Sequence, residues 1–437
     1  MWLSRHWLQL NIFLAVLGVI VGSGPLIGLA VFLLVAGGLA SYWSRHVFDR
    51  VTYERLIPEN RAFAGESLAF NLRLTNDKLL PIPWIEVRDP MPEGVLLEEK
   101  YTSQASFPGY VQLARSTHLS WYERVNWPLE FKTPVRGYYR LGPARMNSGD
   151  IFGFFPAERD DTKTDGVIIY PKTYTLPELG LPPERPFGER KGRQRIFEDP
   201  SRIAGLREYR PGDPMRRIDW KASARLQSLQ SKVYEPSGTL HMLIAINVHT
   251  LAHSWEGYVP DLLERLLSAG ASVARYGFDA GFSIGLVANG SYPESDRPMR
   301  VPVGRHSEQL MRVLEALAVI NPLTISSLES VIDREAQRFP YGATLVCVTA
   351  RLEEPLANSL LHVAGSGHAV TVLSLAERPF DIDLGPSIRI YELDRVMRTL
   401  EQQAAAEADA LKPGESLRTP PKGPPLTALR NTQGTSP

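Results

Sequence analysis

The sequence predicts a multidomain chain. An N-terminal transmembrane helical hairpin leads into a β-sandwich-like domain, followed by an α/β domain built on a mostly parallel sheet. Three observations carry this. No Lys, Arg, Asp or Glu falls between Arg5 and Arg45, a run far more apolar than the rest of the chain. Short alternating runs punctuated by turn residues then fill residues 51–171. From Thr239 onward the rhythm changes to apolar runs alternating with helical spacing. At 437 residues the chain is too long for one core, so several domains are expected. The boundaries read as 1–50 for the hairpin, 51–171 for the β-rich part, 172–238 for a linker with a charged segment, 239–400 for the α/β part and 401–437 for a helix end and tail.

In the first 50 residues, Ser23-Gly24-Pro25 divides the apolar run into about 7–22 and 26–43. A bilayer core needs roughly 20 residues per helix, so the whole run is too long for one span and fits two. Trp2, Trp7, Tyr42 and Trp43 sit where interfacial aromatics belong. A cleaved signal peptide fits poorly, because a second apolar segment follows with no clear small-residue site between the two. Arg5, Arg45 and Arg50 flank the hairpin, so the positive-inside tendency places both ends in the cytoplasm. The expectation is a multi-pass protein of the cell membrane with cytoplasmic soluble domains.

Between 51 and 171, Leu68-Ala69-Phe70-Asn71-Leu72-Arg73-Leu74 places an apolar residue at every second position, the pattern of a strand buried on one face. Asn76-Asp77, Asp89-Pro90 and Pro108-Gly109 interrupt such runs. Trp84, Trp121, Trp127, Tyr138 and Tyr139 read as core and rim residues, and no catalytic grouping stands out. Residues 171–202 carry Pro, Gly and the bases Arg190, Lys191, Arg193 and Arg195. They read as a connection without regular structure, either solvated or lying on anionic headgroups.

The charged segment 205–225 holds Arg207, Glu208, Tyr209, Gly212, Asp213, Arg216, Arg217, Asp219, Trp220, Lys221 and Arg225. Its first half shows no helix or strand period, and Arg210-Pro211-Gly212-Asp213 is a turn signal. The chain balances 48 basic against 48 acidic residues, which argues against nucleic-acid binding through phosphate neutralisation. Cys347 is the one cysteine, so disulfides within the chain and thiolate metal sites are excluded.

In 239–400, apolar strands are expected at about 240–246, 283–288, 344–348, 370–375 and 387–391. Helices are expected between them, one opening with the capping-box pattern Ser326-Ser327-Leu328-Glu329 and running to Arg338. Ligands of such sheets bind at the carboxyl ends of the strands, so the loop after Ile246 matters first. It reads Asn247-Val248-His249-Thr250-Leu251, with no glycine-rich cradle for a nucleotide. Asn247 and His249 read as hydrogen-bonded loop groups, or as ion ligands helped from elsewhere. Residues 412–437, rich in Pro, Gly, Thr and Ser, are expected to be disordered.

Gly205-Leu206-Arg207-Glu208-Tyr209, Pro211-Gly212-Asp213 and the run from Arg216 to Arg225, with Lys232 and Tyr234-Glu235, resemble the signature of the bacterial domain of unknown function 58 family. Arg136-Gly137-Tyr138-Tyr139 with Asp150-Ile151-Phe152-Gly153 resembles a second pattern of that family. The resemblance implies a von Willebrand factor A-like α/β domain and genes neighbouring MoxR-type AAA ATPases, hence an adaptor in a chaperone or assembly system. Many such A domains bind Mg²⁺ through an Asp-x-Ser-x-Ser loop. Here the corresponding positions are Asn247, His249 and Leu251, with Val348-Thr349-Ala350 where an Asp is wanted, so the loop is degenerate and neither metal nor cofactor is expected. The function expected is a non-catalytic, membrane-anchored adaptor or scaffold whose partners are the bilayer and a protein, possibly a MoxR-type AAA ATPase. Two alternatives stay open: a hydrolase or nuclease using Asp213, Asp219 and Lys221, and a signature segment that only clamps domains together.

Overall fold

A computed structural model describes residues 2–92, 102–104, 109–132, 135–182, 187, 198–210, 213, 215–236, 240–251, 256–293, 295–340 and 342–410. Helices α1 (Trp2–Val21) and α2 (Gly24–His46) pack side by side. The reversal turns on Gly22, whose φ of 67 is open to glycine. Pro25 follows in the first turn of α2, where no N–H partner is lost. Among the described residues one helix, α2, is long and apolar enough to cross a membrane, and the apolar part of α1, Trp7–Val21, is shorter.

The β module follows as β1 (Val51–Leu56), β2 (Arg61–Phe63), β3 (Ser67–Asn76), β4 (Ile82–Pro92), β5 (Thr102–Gln104), β6 (Tyr110–Leu119), β7 (Arg124–Lys132), β8 (Gly137–Leu141), β9 (Ala144–Gly149), β10 (Pro156–Asp161) and β11 (Asp165–Tyr170). They form sheets in the orders β1-β3-β7, β10-β9-β4-β6-β5 and β2-β11-β8. The period-two pattern of β3 buries Leu68, Phe70, Leu72 and Leu74 in one core with Tyr53, Ile85, Met91 and Met146. Inside that core Arg55 donates to both oxygens of Asp89, at 2.6 and 2.9 Å, and Tyr53 donates to Asp89 at 2.8 Å. Each buried charge is therefore paired and hydrogen-bonded.

Next come β12 (Glu198–Glu208), α3 (Trp220–Leu226) and β13 (Gln230–Pro236), with β12 and β13 paired antiparallel. This corrects two expectations. The connection expected to be irregular to residue 202 enters a strand at Glu198, and the first four residues of the charged segment, Gly205 to Glu208, are that strand's end. Cross-strand pairing with β13 outweighs a sequence that alternates poorly.

The α/β part contains β14 (His241–Ile246), α4 (Pro260–Asp279), β15 (Ser283–Ser291), β16 (Pro298–Gly304), α5 (Gln309–Val319), β17 (Asn321–Thr324), α6 (Leu328–Ala336), β18 (Thr344–Thr349), α7 (Glu354–Gly365), β19 (Ala369–Ser374), β20 (Ile388–Glu392) and α8 (Asp394–Ala410). The sheet order is β16-β15-β14-β18-β19-β20, with β17 also on β15, and β16 and β17 run antiparallel. Met242, Ile244 and Ile246 point to the α4 and α5 face, while Leu243 and Ala245 point to the α6 and α7 face. A Cβ on Gly270 would meet the Ile246 side chain, which is why α4 lies so close to β14. Ser327 stands at the cap of α6 but makes no side-chain cap bond, so the expected capping box is not formed, and the helix ends at Ala336.

Residues 171–182 run irregularly, yet Leu176, Leu179 and Leu181 are buried in the α4 and α5 core, and the Tyr174 N–H donates to Ser272 Oγ at 2.8 Å. This part is packed, not solvated. Beside it, Arg136 donates to the Ala318 carbonyl at 2.9 Å and faces Glu264 at 3.2 Å, and Arg61 pairs with Glu315 at 2.8 Å. The expected tail, residues 412–437, lies outside the described residues.

Candidate functional site

The segment 198–236 builds a small module from its own polar groups. Arg207 reaches Asp213 at 2.7 Å and the Arg210 N–H donates to the same carboxylate at 3.0 Å. These two donors hold the Asp213 carboxyl below the usual carboxylate range. A 3-10 turn at Met215–Arg217 then leads to Ile218, which is buried and bridges to Ser231. Asp219 caps α3 by accepting from the Ala222 N–H at 3.0 Å, and its own N–H donates to Gln230 at 2.9 Å. Ser223 Oγ donates to the Asp219 carbonyl at 2.7 Å and accepts from the Gln230 N–H at 2.8 Å, which ties α3 to β13. Lys232 Nζ stands 4.0 Å from Asp219. Gln227 ends the helix in the left-handed region at φ 49.

With those polar groups bonded to one another, several large apolar side chains lie outside. Met215 is 69% exposed and Trp220 64%, and Leu206, Leu226 and Leu229 are also exposed. Of the residues singled out in the sequence, Glu208, Lys221 and Arg225 are exposed, while Tyr209 and Arg217 are half-buried. Gly212 lies outside the described residues, as does the side chain of Arg216. Arg207 is engaged with Asp213 and so is not the outward fork its charge suggests. The two carboxylates of the hydrolytic alternative have separate structural duties, Asp213 in the turn and Asp219 at the helix cap. Sequence reasoning weighted charge and passed over Met215, Leu226 and Leu229. The available signal was an apolar residue at each bend of an otherwise polar segment.

A second set of residues gathers at the carboxyl ends of β14, β15 and β18. Asn247 Oδ1 accepts from Asn289 Nδ2 at 2.9 Å and from the His249 N–H at 3.1 Å, and Asn247 Nδ2 donates to Thr349 Oγ1 at 3.1 Å. His249 Nε2 lies 2.8 Å from Thr324 Oγ1. Burial pushes the His249 pKa down, with Arg351 helping and Glu353 and Glu329 opposing. A cleft of about 90 Å³ opens here, lined by Asn247, His249, Glu329, Arg351 and Glu353 among others. Leu251 is half-buried, and Thr250 Oγ1 accepts from the Val259 N–H at 2.8 Å. Among the described residues no group of three or more His, Cys, Asp or Glu is placed to hold a metal ion. The Asn247 amide braces the loop to Asn289 and Thr349, and the imidazole braces it to Thr324. Cys347 is buried in β18, and burial pushes its thiol up to about 12.

These parts define a chain with an apolar N-terminal helix, a β-rich module, and an α/β sheet preceded by a two-stranded signature module. Residues 205–386 match the family described as Protein of unknown function DUF58. It is 23% identical over 369 residues to "Uncharacterized protein YeaD" of Bacillus subtilis (strain 168), spanning 83% of this chain and 84% of that one. Among solved structures, a CARDB domain from Pyrococcus furiosus is similar over 27% of this chain and 91% of its own, with 12% identity and a TM-score of 0.18. A non-cellulosomal cohesin from Archaeoglobus fulgidus is similar over 28% and 91%, with 11% identity and a TM-score of 0.19.

Proposed function

We propose that this protein is a non-catalytic adaptor, anchored in the cell membrane by α1 and α2, that engages a protein partner through the signature module. The observation that carries the reading is the pairing of exposed Trp220 and Met215 with a polar framework already bonded to itself. Large apolar side chains on a small, internally braced platform are the usual anchors of a protein interface. The α/β part is read as von Willebrand factor A-like, supported by β14 at the sheet centre and helices on both faces. The partner class is a MoxR-type AAA ATPase, which rests on the family resemblance. Arg45, His46 and Arg50 at the end of α2 favour two spans with cytoplasmic domains.

The reading in which the segment only clamps domains has less support, because Arg61, Arg136 and the buried Leu176, Leu179 and Leu181 already join the β module to the α/β part. The test uses the full chain in detergent and a purified MoxR-type ATPase from the same genome. Trp220→Ala with Met215→Ala is expected to abolish co-purification while the thermal midpoint stays near that of the parent, since both side chains are exposed. Undiminished recovery with a folded double variant would remove the module from the interface.

A further inference from the structure

We propose that the helix-side end of the β module dips into the bilayer, with the loop at residues 150–155 as its deepest point. This rests on α1 and α2 being membrane-embedded. Strand order places the loops 77–81, 120–123 and 150–155 at one end. β1 begins there opposite the end of β3, β6 ends opposite the start of β4, and β9 ends opposite the start of β10. It is also the end from which α2 emerges. Lys78 Nζ donates to the Val47 and Asp49 carbonyls at 2.7 and 2.8 Å, and Arg159 donates to Phe48 and Val51 at 2.8 and 2.6 Å. The module is thus bolted to the foot of α2 without slack.

The depth of the loop follows from its contact with α1. Phe155 packs edge-on against Trp7, with ring centroids 5.9 Å apart. Trp7 in turn fills the space beside Gly37 of α2, where a Cβ would come within 2.7 Å of its ring. At 1.5 Å per residue, Gly37 lies about 9 Å inside Trp43, the interfacial residue of α2. The loop therefore reaches well below the level at which α2 leaves the apolar layer.

The loop is shaped to present apolar groups at that depth. The buried Asp150 carboxylate accepts from the Phe152 N–H at 2.9 Å and the Phe155 N–H at 2.6 Å, and Gly153 takes φ 72. With the Gly153 N–H donating to the Asp150 carbonyl at 3.2 Å, three of the loop's N–H groups are bonded from within, which lowers the cost of placing it in an apolar medium. Ile151 is 59% exposed and Phe152 61%, and Phe152 stacks on the exposed Phe154 at 5.7 Å. Nearer the foot of α2, at headgroup level, Leu79, Trp121 and Tyr122 are exposed on the adjoining loops. Aliphatic and phenyl groups at the deep tip with indole and phenol groups nearer the surface match the depth preferences of a bilayer. On a water-facing surface the same groups would form a costly apolar patch.

The experiment places a fluorophore at Phe152→Cys in the full chain carrying Cys347→Ser. The protein is reconstituted in phosphatidylcholine–phosphatidylglycerol vesicles containing doxyl-labelled lipid. Leu39→Cys, on the exposed face of α2, reports helix insertion separately. The Phe152 probe is expected to lose its fluorescence to the doxyl lipid and to be shielded from aqueous iodide, as the Leu39 probe is. Ile151→Cys reads the same depth if position 152 tolerates no label. If Leu39 is quenched by lipid but both loop probes answer only to iodide, the loop stays in water and the inference falls while the anchor stands. If none is quenched by lipid, both fall.

Discussion

At the residue scale, His249 shows how a loop that resembles a ligand site acts as a brace. Its backbone N–H binds Asn247 and its ring meets Thr324, so the imidazole is held half-buried between β14 and β17. Burial depresses its pKa below the free value, so the folded state favours the neutral ring. The sign follows directly. Stability from this group is full above the free pKa and is lost as the pH falls from there through the depressed value. The urea midpoint of the parent is expected to drop between pH 7.5 and pH 5.5, and a His249→Asn variant to drop less over the same interval. Sequence alone placed Asn247 and His249 in the strand-end loop because β14 is a continuous apolar run. It gave no access to Asn289 and Thr324, which are distant in the chain and join through sheet neighbours.

At the element scale, α3 has seven residues and depends on its cap. Asp219 supplies that cap and also receives Lys232 at the other oxygen, so one carboxylate fixes both the start of the helix and its seat on β13. Asp219→Ala is expected to cost about 1 kcal/mol of stability, read as earlier loss of amide-exchange protection at Ala222 and Ser223, with the large sheet unaffected. Equal protection in parent and variant would show that Ser223 alone suffices. The same elements mark the limit of pattern reading. β3 and β14 were legible because their alternation or continuity mirrors burial. β12, β16 and β17 were not, because each is defined by the strand it pairs with, and edge or two-stranded pairing leaves little imprint on hydrophobic periodicity. The exposed Met215 and Leu229 stayed hidden for the same reason, since exposure depends on a hairpin that the pattern did not announce.

At the scale of the whole molecule, the two large domains are joined by a small set of buried contacts. Arg136 is central. It is buried, donates to the last turn of α5 and faces Glu264 of α4. Arg136→Ala leaves the Ala318 carbonyl and a burial-raised Glu264 without their partner, which is expected to cost about 1–3 kcal/mol. Calorimetry checks this. The parent is expected to unfold the β module and the α/β part together, and the variant to separate them into two transitions. A single, unshifted transition would show that the leucines at 176–181 carry the joint without it.

That joint also sets what the β module is for. One end is fastened to the foot of α2 by Lys78 and Arg159, and its flank is fastened to α4 and α5 by Arg61 and Arg136. A flexible tether would let the α/β domain tumble over a hemisphere. A pillar held at both faces gives it one distance and one heading relative to α2. On the proposed adaptor reading, a protein partner in the same membrane meets that domain in one pose, and the orientational entropy of docking is already spent before the two touch.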